Sequence, residues 1–335
     1  MAVKLFKPYM SWRARWYALK VLLSDQLAEG EWVKKFEHEF SKKFGLVHVV
    51  AVNSGTSALE LAYDLAGIGS GDEVITPVLT CTATNLPLVR RHARIVFADI
   101  DYDLNINIED VKKKITKKTK AIVFVHFGGN NRGLAELRRL CTARKIALIE
   151  DAAQAVGSDY WGKGDYVAVS LQATKTLTSG DGGFLVTRTK KDYDKARRLR
   201  WFGYDRDLKH KLGDTDITEA GYKYHMNNIT AAIGLGNLRS LDYALEKRRK
   251  LREFYNTFKN SFGTEQNTAI DCHNWLCIQW GKKGEQHHYR NDKYTVFKKF
   301  KTKCPVMDEL ENSWRLLPYH HDVSEYEAYT AIHED

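Results

Sequence analysis

The amino-acid sequence predicts an α/β fold in which a mainly parallel central sheet is flanked by helices. The chain has 335 residues, of which 43% are hydrophobic, and this is enough to bury a large core. From about residue 46, short apolar segments alternate with helical ones, which is typical of βαβ units. The polar motifs described below follow the predicted strands, where ligands bind in parallel sheets.

The elements follow one another along the chain. Ser11 is expected to cap a first helix over residues 11–24, because its hydroxyl can accept a hydrogen bond from a free backbone N–H. Strand and helix then alternate in pairs at 47–52 and 56–66, 73–76 and 84–91, 94–98 and 108–114, and 121–125 and 134–142. Further strands are expected over 146–150, 167–171 and 183–187.

Residues 191–260 look mainly helical, and the pattern is less regular after about residue 262. The main helices are expected over 197–201, 226–234 and 238–254, with a later strand over 275–280 and a helix over 289–300. We therefore expect a large domain over residues 1–240, including the N-terminal helical segment. A small C-terminal α+β domain is expected over residues 241–335.

Composition limits the classes of partner. The formal net charge is +10, which suits either nucleic acid or a small anionic ligand. No apolar run is long enough to cross a bilayer, so no membrane partner is expected. The five cysteines are odd in number and scattered, which favours a reducing compartment such as the cytoplasm. Cys272, His273 and Cys277 lack zinc-finger spacing, so no metal site is predicted.

The first polar motif, residues 53–56, lies between a predicted strand and a helix. Its small residues let backbone N–H groups approach an anion, and a helix N-terminus adds partial positive charge. Gly55 and Thr56 are therefore candidates for binding a phosphate. The same Ser-Gly-Thr sequence is also a common helix cap, so the motif alone leaves both readings open.

The second motif, residues 150–154, follows a strongly apolar strand. A carboxylate at the tip of such a strand is costly without a cationic partner. A protonated pyridine nitrogen would be such a cationic partner for Asp151. The alternative is that Asp151 caps the next helix.

The third motif, residues 170–175, lies in a turn between two buried strands and is followed by the glycine-rich segment 180–183. Burial lowers a lysine pKa and gives an amine suited to a Schiff base. A surface lysine in a hairpin is the alternative for Lys175. In this order, the three motifs are the parts that a pyridoxal phosphate site requires.

At these residues the chain resembles the DegT/DnrJ/EryC1/StrS aminotransferases, a branch of the fold-type I enzymes. The resemblance runs from about residue 5 to about residue 260. The matching pieces are Gly30 with Phe36 and Glu37, 53–59, 71–77, 150–155, 170–175 with 180–183, and Gly221 and Tyr222 followed by Ala231 and Ala232. It implies a pyridoxal 5'-phosphate enzyme in which Lys175 holds the cofactor and moves the proton.

The same resemblance implies the other roles. Asp151 would keep the pyridine nitrogen protonated, and Gln154 would contact the ring near its hydroxyl. Gly55, Thr56 and Ser170 would bind the phosphate. Some relatives carry histidine in place of the lysine and act as dehydratases; Lys175 favours amino transfer.

The chain departs from the family pattern at three places. Cys81 stands where many members stack an aromatic ring on the cofactor. Lys223 stands where many place an asparagine that reaches the partner subunit's phosphate. The Lys223 cation could make the same contact, or His225 or Asn227 could replace it. The segment 161–165 looks shorter than usual.

The C-terminal segment 287–292 holds histidine, tyrosine and arginine side by side. Such a group could bind a sugar hydroxyl or a diphosphate, and a solvated polar loop is equally compatible with it. His288 and Arg290 are the candidate substrate contacts.

The resemblance implies two half-reactions on a shared two-fold dimer. Glutamate or glutamine would give its amino group to the cofactor, leaving pyridoxamine 5'-phosphate. That species would aminate a keto group of a nucleotide-linked deoxysugar, with carbon 4 favoured over carbon 3. The alternatives are a sugar dehydratase, an aminocyclitol aminotransferase, or a regulatory or nucleic-acid-binding protein on the same fold. No helix-turn-helix signature supports the last of these, and no nucleic-acid partner is expected.

Overall fold

A seven-stranded sheet lies at the centre of the computed structural model, which describes residues 3–213, 216–258 and 270–333. Its strands are β1 (Val49–Val52), β2 (Glu73–Pro77), β3 (Arg94–Ala98), β4 (Thr119–Val125), β5 (Ala147–Asp151), β6 (Tyr166–Ser170) and β7 (Gly183–Thr187). The spatial order is β1-β7-β6-β5-β4-β2-β3. Strand β7 runs antiparallel to both of its neighbours, and the remaining pairs are parallel. The prediction of a mainly parallel sheet is confirmed.

Helices cover both faces of this sheet. They are α1 (Trp12–Leu22), α2 (Glu31–Phe44), α3 (Gly55–Leu65), α4 (Thr82–Arg90), α5 (Ile108–Lys114), α6 (Leu134–Arg144), α7 (Lys190–Leu199), α8 (Arg206–Leu212), α9 (Asn228–Leu238), α10 (Leu241–Thr257), α11 (Pro305–Leu310) and α12 (Glu325–His333). Ser11 caps α1 as predicted, with its hydroxyl accepting a hydrogen bond from the Ala14 N–H. Among the residues that the structure describes, none of the helices combines the length and apolarity needed to span a membrane.

The central strands are buried on both sides because their side chains alternate between two apolar clusters. In β1, Val50 and Val52 join one cluster, whereas Val49 and Ala51 join the other. This period of two is the geometry of a pleated strand. It explains why the strands appear in the sequence as continuous apolar runs rather than alternating ones.

A small antiparallel sheet follows in the C-terminal part. Its strands β8 (Ile270–Cys272), β9 (Cys277–Trp280) and β10 (Trp314–Leu317) lie in the order β10-β9-β8. The strand expected over 275–280 is therefore present. The β8–β9 register sets Cys272 opposite Cys277, and a disulfide joins them. The cysteine count and spacing predicted reduced thiols, so this bond corrects that expectation. Spacing along the chain does not show which strands are adjacent.

The helix predicted over 289–300 is wrong. Short 3-10 turns occupy Asn291–Lys293 and Thr295–Phe300 instead. The Asn291 N–H donates to the Val78 carbonyl oxygen at 2.7 Å, and the Asn291 amide donates to the Thr80 carbonyl oxygen at 2.6 Å. These bonds hold the segment against the end of β2. Bonds within the segment are of the short 3-10 kind, such as that from the Tyr294 N–H to the Asn291 carbonyl oxygen at 3.0 Å.

Candidate active site

A cavity of about 510 Å³ opens at the carboxyl ends of the parallel strands. It is lined by Ser54, Gly55, Thr56, Leu59, Thr80, Cys81, Ala83, Val125, Asp151, Ala153, Gln154, Ala168, Ser170, Gln172, Thr174, Lys175, Asp181, His287 and His288. All three polar motifs of the large domain, which are distant in sequence, therefore meet in one place. This is the edge of the sheet where ligands bind in α/β folds.

Lys175 lies in the loop between β6 and β7, and its side chain is partly buried at the cavity wall. Its Nζ lies 4.2 Å from the centre of the Trp275 ring. The Trp275 indole N–H donates to the Thr174 carbonyl oxygen at 3.2 Å, which fixes the ring beside this loop. Burial lowers the pKa of Lys175 to about 8, while the negative charge of Asp151 acts in the opposite direction. The site therefore holds an amine that loses its proton at moderately alkaline pH.

Asp151 is the last residue of β5, and hydrogen bonds fix its carboxylate. One oxygen accepts from the Thr84 hydroxyl at 2.7 Å, and the other accepts from the Ala153 N–H at 3.2 Å. The Thr84 hydroxyl also lies 2.8 Å from that of Thr80. The carboxylate is thus oriented at the cavity wall and can serve a cationic group there.

The neighbouring carboxylate, Glu150, is fully buried away from the cavity. Burial alone raises its pKa, but hydrogen bonds from His126 and from the N–H groups of Gly162 and Gly164 outweigh burial and hold the pKa below its usual range. The Glu150 Oε2 to His126 Nε2 distance is 2.8 Å. Of these two adjacent acids, Asp151 lines the cavity, whereas Glu150 binds the backbone of the loop that follows β5.

Gln154 presents an amide nitrogen to the cavity. Its oxygen accepts a hydrogen bond from the Gly128 N–H at 2.6 Å. Its nitrogen lies 3.3 Å from Nε2 of His288. Because the oxygen is already bonded, the nitrogen is the atom left to donate to a ligand oxygen.

The N-terminus of α3 forms the opposite end of the cavity. The Ser54 hydroxyl caps the helix by accepting from the Ser57 N–H at 3.0 Å. Gly55 and Thr56 lie in the first turn, where backbone N–H groups have no intrahelical acceptor. A Cβ added to Gly55 would lie 2.8 Å from the Cβ of Ser170. Glycine therefore lets the helix end reach β6, and the resulting cradle of N–H groups and a serine hydroxyl suits an anion.

Two histidines from the C-terminal part close one wall. The ring centres of His287 and His288 are 3.8 Å apart, and His287 packs edge-on against Trp275 at 4.7 Å. Burial lowers the pKa of His287 to about 3 and the pKa of His288 well below its ordinary value. Both rings are therefore neutral at pH 7 and act there as hydrogen-bonding groups.

Cys81 also lines the cavity, at the N-terminal cap of α4. Burial raises the pKa of its thiol. It therefore stands beside Lys175 as an uncharged, polarisable contact at neutral pH.

Three of the predicted site residues are not brought to the cavity wall. Arg290 is buried, and its guanidinium donates to Asp292 at 2.7 Å and to Asp308, so it supports its own loop. Lys223 is exposed, and its carbonyl oxygen accepts from the Asn53 amide at 3.3 Å. Asn227 is exposed and caps α9.

Sequence reasoning missed several residues that line or support the cavity. They are Thr80, Thr84, Gln172, Asp181, Trp275 and His287. Trp275 was placed only in a strand, because nothing local shows that it meets Lys175 across the fold. His287 was passed over although it adjoins His288, and that adjacency is the signal that could have found it.

The comparisons with known proteins all indicate the same family. Residues 13–330 match the DegT/DnrJ/EryC1/StrS aminotransferase family. The chain is 34% identical to the GDP-perosamine synthase of Escherichia coli O157:H7 over 77% of this chain and 72% of that protein. It is 34% identical to the UDP-4-amino-4,6-dideoxy-N-acetyl-beta-L-altrosamine transaminase of Campylobacter jejuni over 70% of this chain and 64% of that protein.

Solved structures agree with the sequence matches. The sugar aminotransferase CalS13 from Micromonospora echinospora superposes with a TM-score of 0.88 and 30% sequence identity, covering 98% of each chain. The match includes both the large sheet and the C-terminal part, so the whole described architecture is that of a fold-type I enzyme. The chain therefore belongs to the DegT/DnrJ/EryC1/StrS aminotransferase family.

Proposed function

We propose that the chain uses pyridoxal 5'-phosphate to move an amino group from glutamate to the 4-keto group of a nucleotide-linked 6-deoxysugar, in amino-sugar and glycan biosynthesis. The observation that carries this proposal is the amine of Lys175, whose pKa is lowered to about 8 by burial in the same cavity as the oriented carboxylate of Asp151. The names of the two curated relatives, a GDP-perosamine synthase and a UDP-sugar transaminase, support the substrate class.

The residues present fit the cofactor. Asp151 supplies a fixed carboxylate for the ring nitrogen, and Gln154 supplies an amide nitrogen for the ring hydroxyl. Gly55, Thr56 and Ser170 would hold the phosphate, because a side chain at Gly55 would close the cradle between α3 and β6. Cys81 would contact the ring. When bound, the cofactor serves as an electron sink for the substrate carbon that exchanges a proton.

Lys175 supplies the acid and base. With a pKa of about 8, its amine can both accept and release a proton near neutral pH, which is what general acid–base catalysis needs. The Trp275 ring lies under Nζ and favours its ammonium form. The uncharged rings of His287 and His288 are placed to bind hydroxyl groups of the sugar.

A second copy of the chain would complete the site. Lys223 and Asn227 are exposed beside the end of β1 and the start of α9, where a partner subunit's cofactor phosphate could reach them; His225 is the third candidate. The net charge of +10 favours an anionic substrate. We place this homodimeric enzyme in the cytoplasm.

A panel of acceptors tests the function. The purified chain with pyridoxal phosphate and glutamate is given 4-keto-6-deoxysugars linked to UDP, GDP or dTDP, and 3-keto isomers as matched controls. We expect an amino sugar and 2-oxoglutarate from a 4-keto acceptor, and neither product from Lys175→Ala. A deoxygenated product with no glutamate consumed would instead indicate a dehydratase, and amination of a cyclitol ketone alone would indicate the aminocyclitol reaction.

A further inference from the structure

Helix α1 turns an apolar face away from the protein. Its opposite side, which includes Ala14 and Val21, is fully buried against the large domain. The outward face of α1 consists of Trp12, Trp16, Leu19 and Leu23, which are 66%, 46%, 44% and 79% exposed. At 100° per residue these four side chains fall in one sector about 60° wide.

The N-terminal end of α1 is fixed against α9, so the outward face keeps its position on the protein. The Ser11 N–H donates to the Asn237 side chain at 2.9 Å, and the Ser11 hydroxyl donates to the Gly236 carbonyl oxygen at 3.1 Å. A Cβ added to Gly236 would lie 2.4 Å from the backbone of Ala14. Helices α1 and α9 are therefore in backbone contact. A fixed, contiguous apolar face on a surface helix marks an interaction site.

Cations border the outward face on both sides. Arg13 and Lys20 flank one edge and Arg15 flanks the other, as their positions on the helix require. The guanidinium of Arg13 lies 5.4 Å from the Trp12 ring centre, and the Lys20 amine lies 5.3 Å from that of Trp16. Residues 3–24 contain no aspartate or glutamate.

The neighbouring elements add charges of both signs. Arg239, after α9, donates to the Tyr17 hydroxyl at 2.6 Å. Asp25, two residues after Leu23, is exposed. Glu31 pairs with Lys35 at 3.2 Å and adjoins Trp32, whose ring contacts that of Tyr17. Within α1 itself, the charges that border the outward face are all positive.

We propose that the outward face of α1 docks the enzyme on an anionic lipid surface. Tryptophan and leucine enter the boundary between headgroups and acyl chains, while arginine and lysine stems extend toward lipid phosphates. A second copy fits less well, because it would set the cations of one α1 against those of the other, and residues 12–22 carry no acid to pair with them. The helix lies flat on the surface and does not span it. This inference revises the expectation that no membrane is a partner.

Vesicle flotation tests the proposal with the intact holoenzyme. The probe is vesicles of phosphatidylcholine mixed with phosphatidylglycerol, compared with vesicles of phosphatidylcholine alone. We expect the protein to float with the anionic vesicles, to bind neutral ones much more weakly, and to be released at high salt. The triple variant Arg13→Gln, Arg15→Gln and Lys20→Gln should weaken vesicle binding by about a hundredfold. Each cation near an anionic surface contributes about 1 kcal/mol, which is roughly fivefold in binding.

Trp12→Ser with Trp16→Ser should weaken vesicle binding by at least about tenfold, because the indole rings supply most of the apolar area. The matched control is Tyr326→Ser with Tyr329→Ser in α12, which removes equally exposed aromatic rings and should leave binding unchanged. Unaltered thermal unfolding of each variant shows that the fold is kept.

Two outcomes would overturn the proposal. One is that the wild type does not float with anionic vesicles, or that the tryptophan variant floats with them equally well. The other is that the tryptophan variant changes only the molar mass in solution, measured by light scattering, which would make the face a contact between copies of the chain.

Discussion

Lys175 acquires its reactivity from its surroundings. The residue type is common, and the chain has 52 lysines and arginines together, so its reactivity depends on place and not on type. Burial removes water that would solvate the ammonium and lowers the pKa to about 8, while Asp151 and the Trp275 ring favour the charged form. The balance leaves an amine that is partly neutral near physiological pH.

A pH titration measures this balance. The rate at which the apoprotein captures pyridoxal phosphate should rise with pH and level off above about pH 8, because only the neutral amine is nucleophilic and the lowered pKa is about 8. A lysine in water would level off only above roughly pH 10.4. Stopped-flow absorbance gives the profile, and a rise that continues through pH 10 would contradict it.

A pair of Trp275 variants separates the ring from simple packing. Trp275→Leu removes the aromatic contact that favours the ammonium form, so the midpoint of the same profile should move to lower pH. Trp275→Phe keeps a ring and should move it less. Equal shifts in both variants would show that the contact contributes only by filling space.

At the same scale, the sequence predicts part of the site. Lys175, Asp151 and Gln154 follow predicted strands, and the ends of parallel strands must meet at one edge of the sheet. Thr84 and Trp275 could not be predicted in this way. Their contacts depend on how a helix and a distant strand pack against that edge, and no local pattern encodes such packing.

Among the elements, α9 shows why a helix can be rich in glycine. Gly234 and Gly236 lie on its buried side, where a Cβ would meet the Phe36 ring at 2.3 Å and the Ala14 backbone at 2.4 Å. Glycine usually weakens a helix interior. Here its absence of a side chain allows α1 and α2 to pack closely on α9.

A single methyl group tests this packing. Gly236→Ala places a carbon against the backbone of Ala14, which cannot move aside as a flexible side chain could, so it should lower the free energy of unfolding by about 1–3 kcal/mol or more. The control is Gly69→Ala, where no heavy atom lies within 4 Å of the added carbon, and little change is expected. Urea denaturation measures both, and equal stability of the two variants would contradict the account.

The prediction of a strand or helix from sequence succeeds where the hydrophobic pattern of the segment matches its burial in the fold. The strand predicted over 121–125 corresponds to β4, because a buried strand is a continuous apolar run. The helix predicted over 289–300 fails because Asn291 bonds to the end of β2. That contact spans more than two hundred residues along the chain, as the Asn291 to Thr80 bond shows, and it overrides the helical propensity of the segment.

In the whole molecule, the two predicted domains share apolar packing. Val123 of the large sheet and Trp275, Phe297 and Trp314 of the C-terminal part belong to the same buried cluster. The fold class follows from the alternation of strands and helices, whereas the boundary at residues 240 and 241 stays a prediction. Shared packing brings Trp275 and both cavity histidines to Lys175, so the C-terminal part supplies one wall of the cavity.

The central claim is that Lys175 holds pyridoxal phosphate and exchanges it with an amino donor. The most direct measurement is the visible absorbance of the wild type and of Lys175→Ala with added cofactor, before and after glutamate, followed by borohydride reduction and peptide mass analysis. We expect a yellow wild type that bleaches with glutamate, a reduced cofactor adduct on Lys175, and neither signal in the variant. A colourless wild type that ignores both cofactor and glutamate, or an adduct on another lysine, would contradict the account.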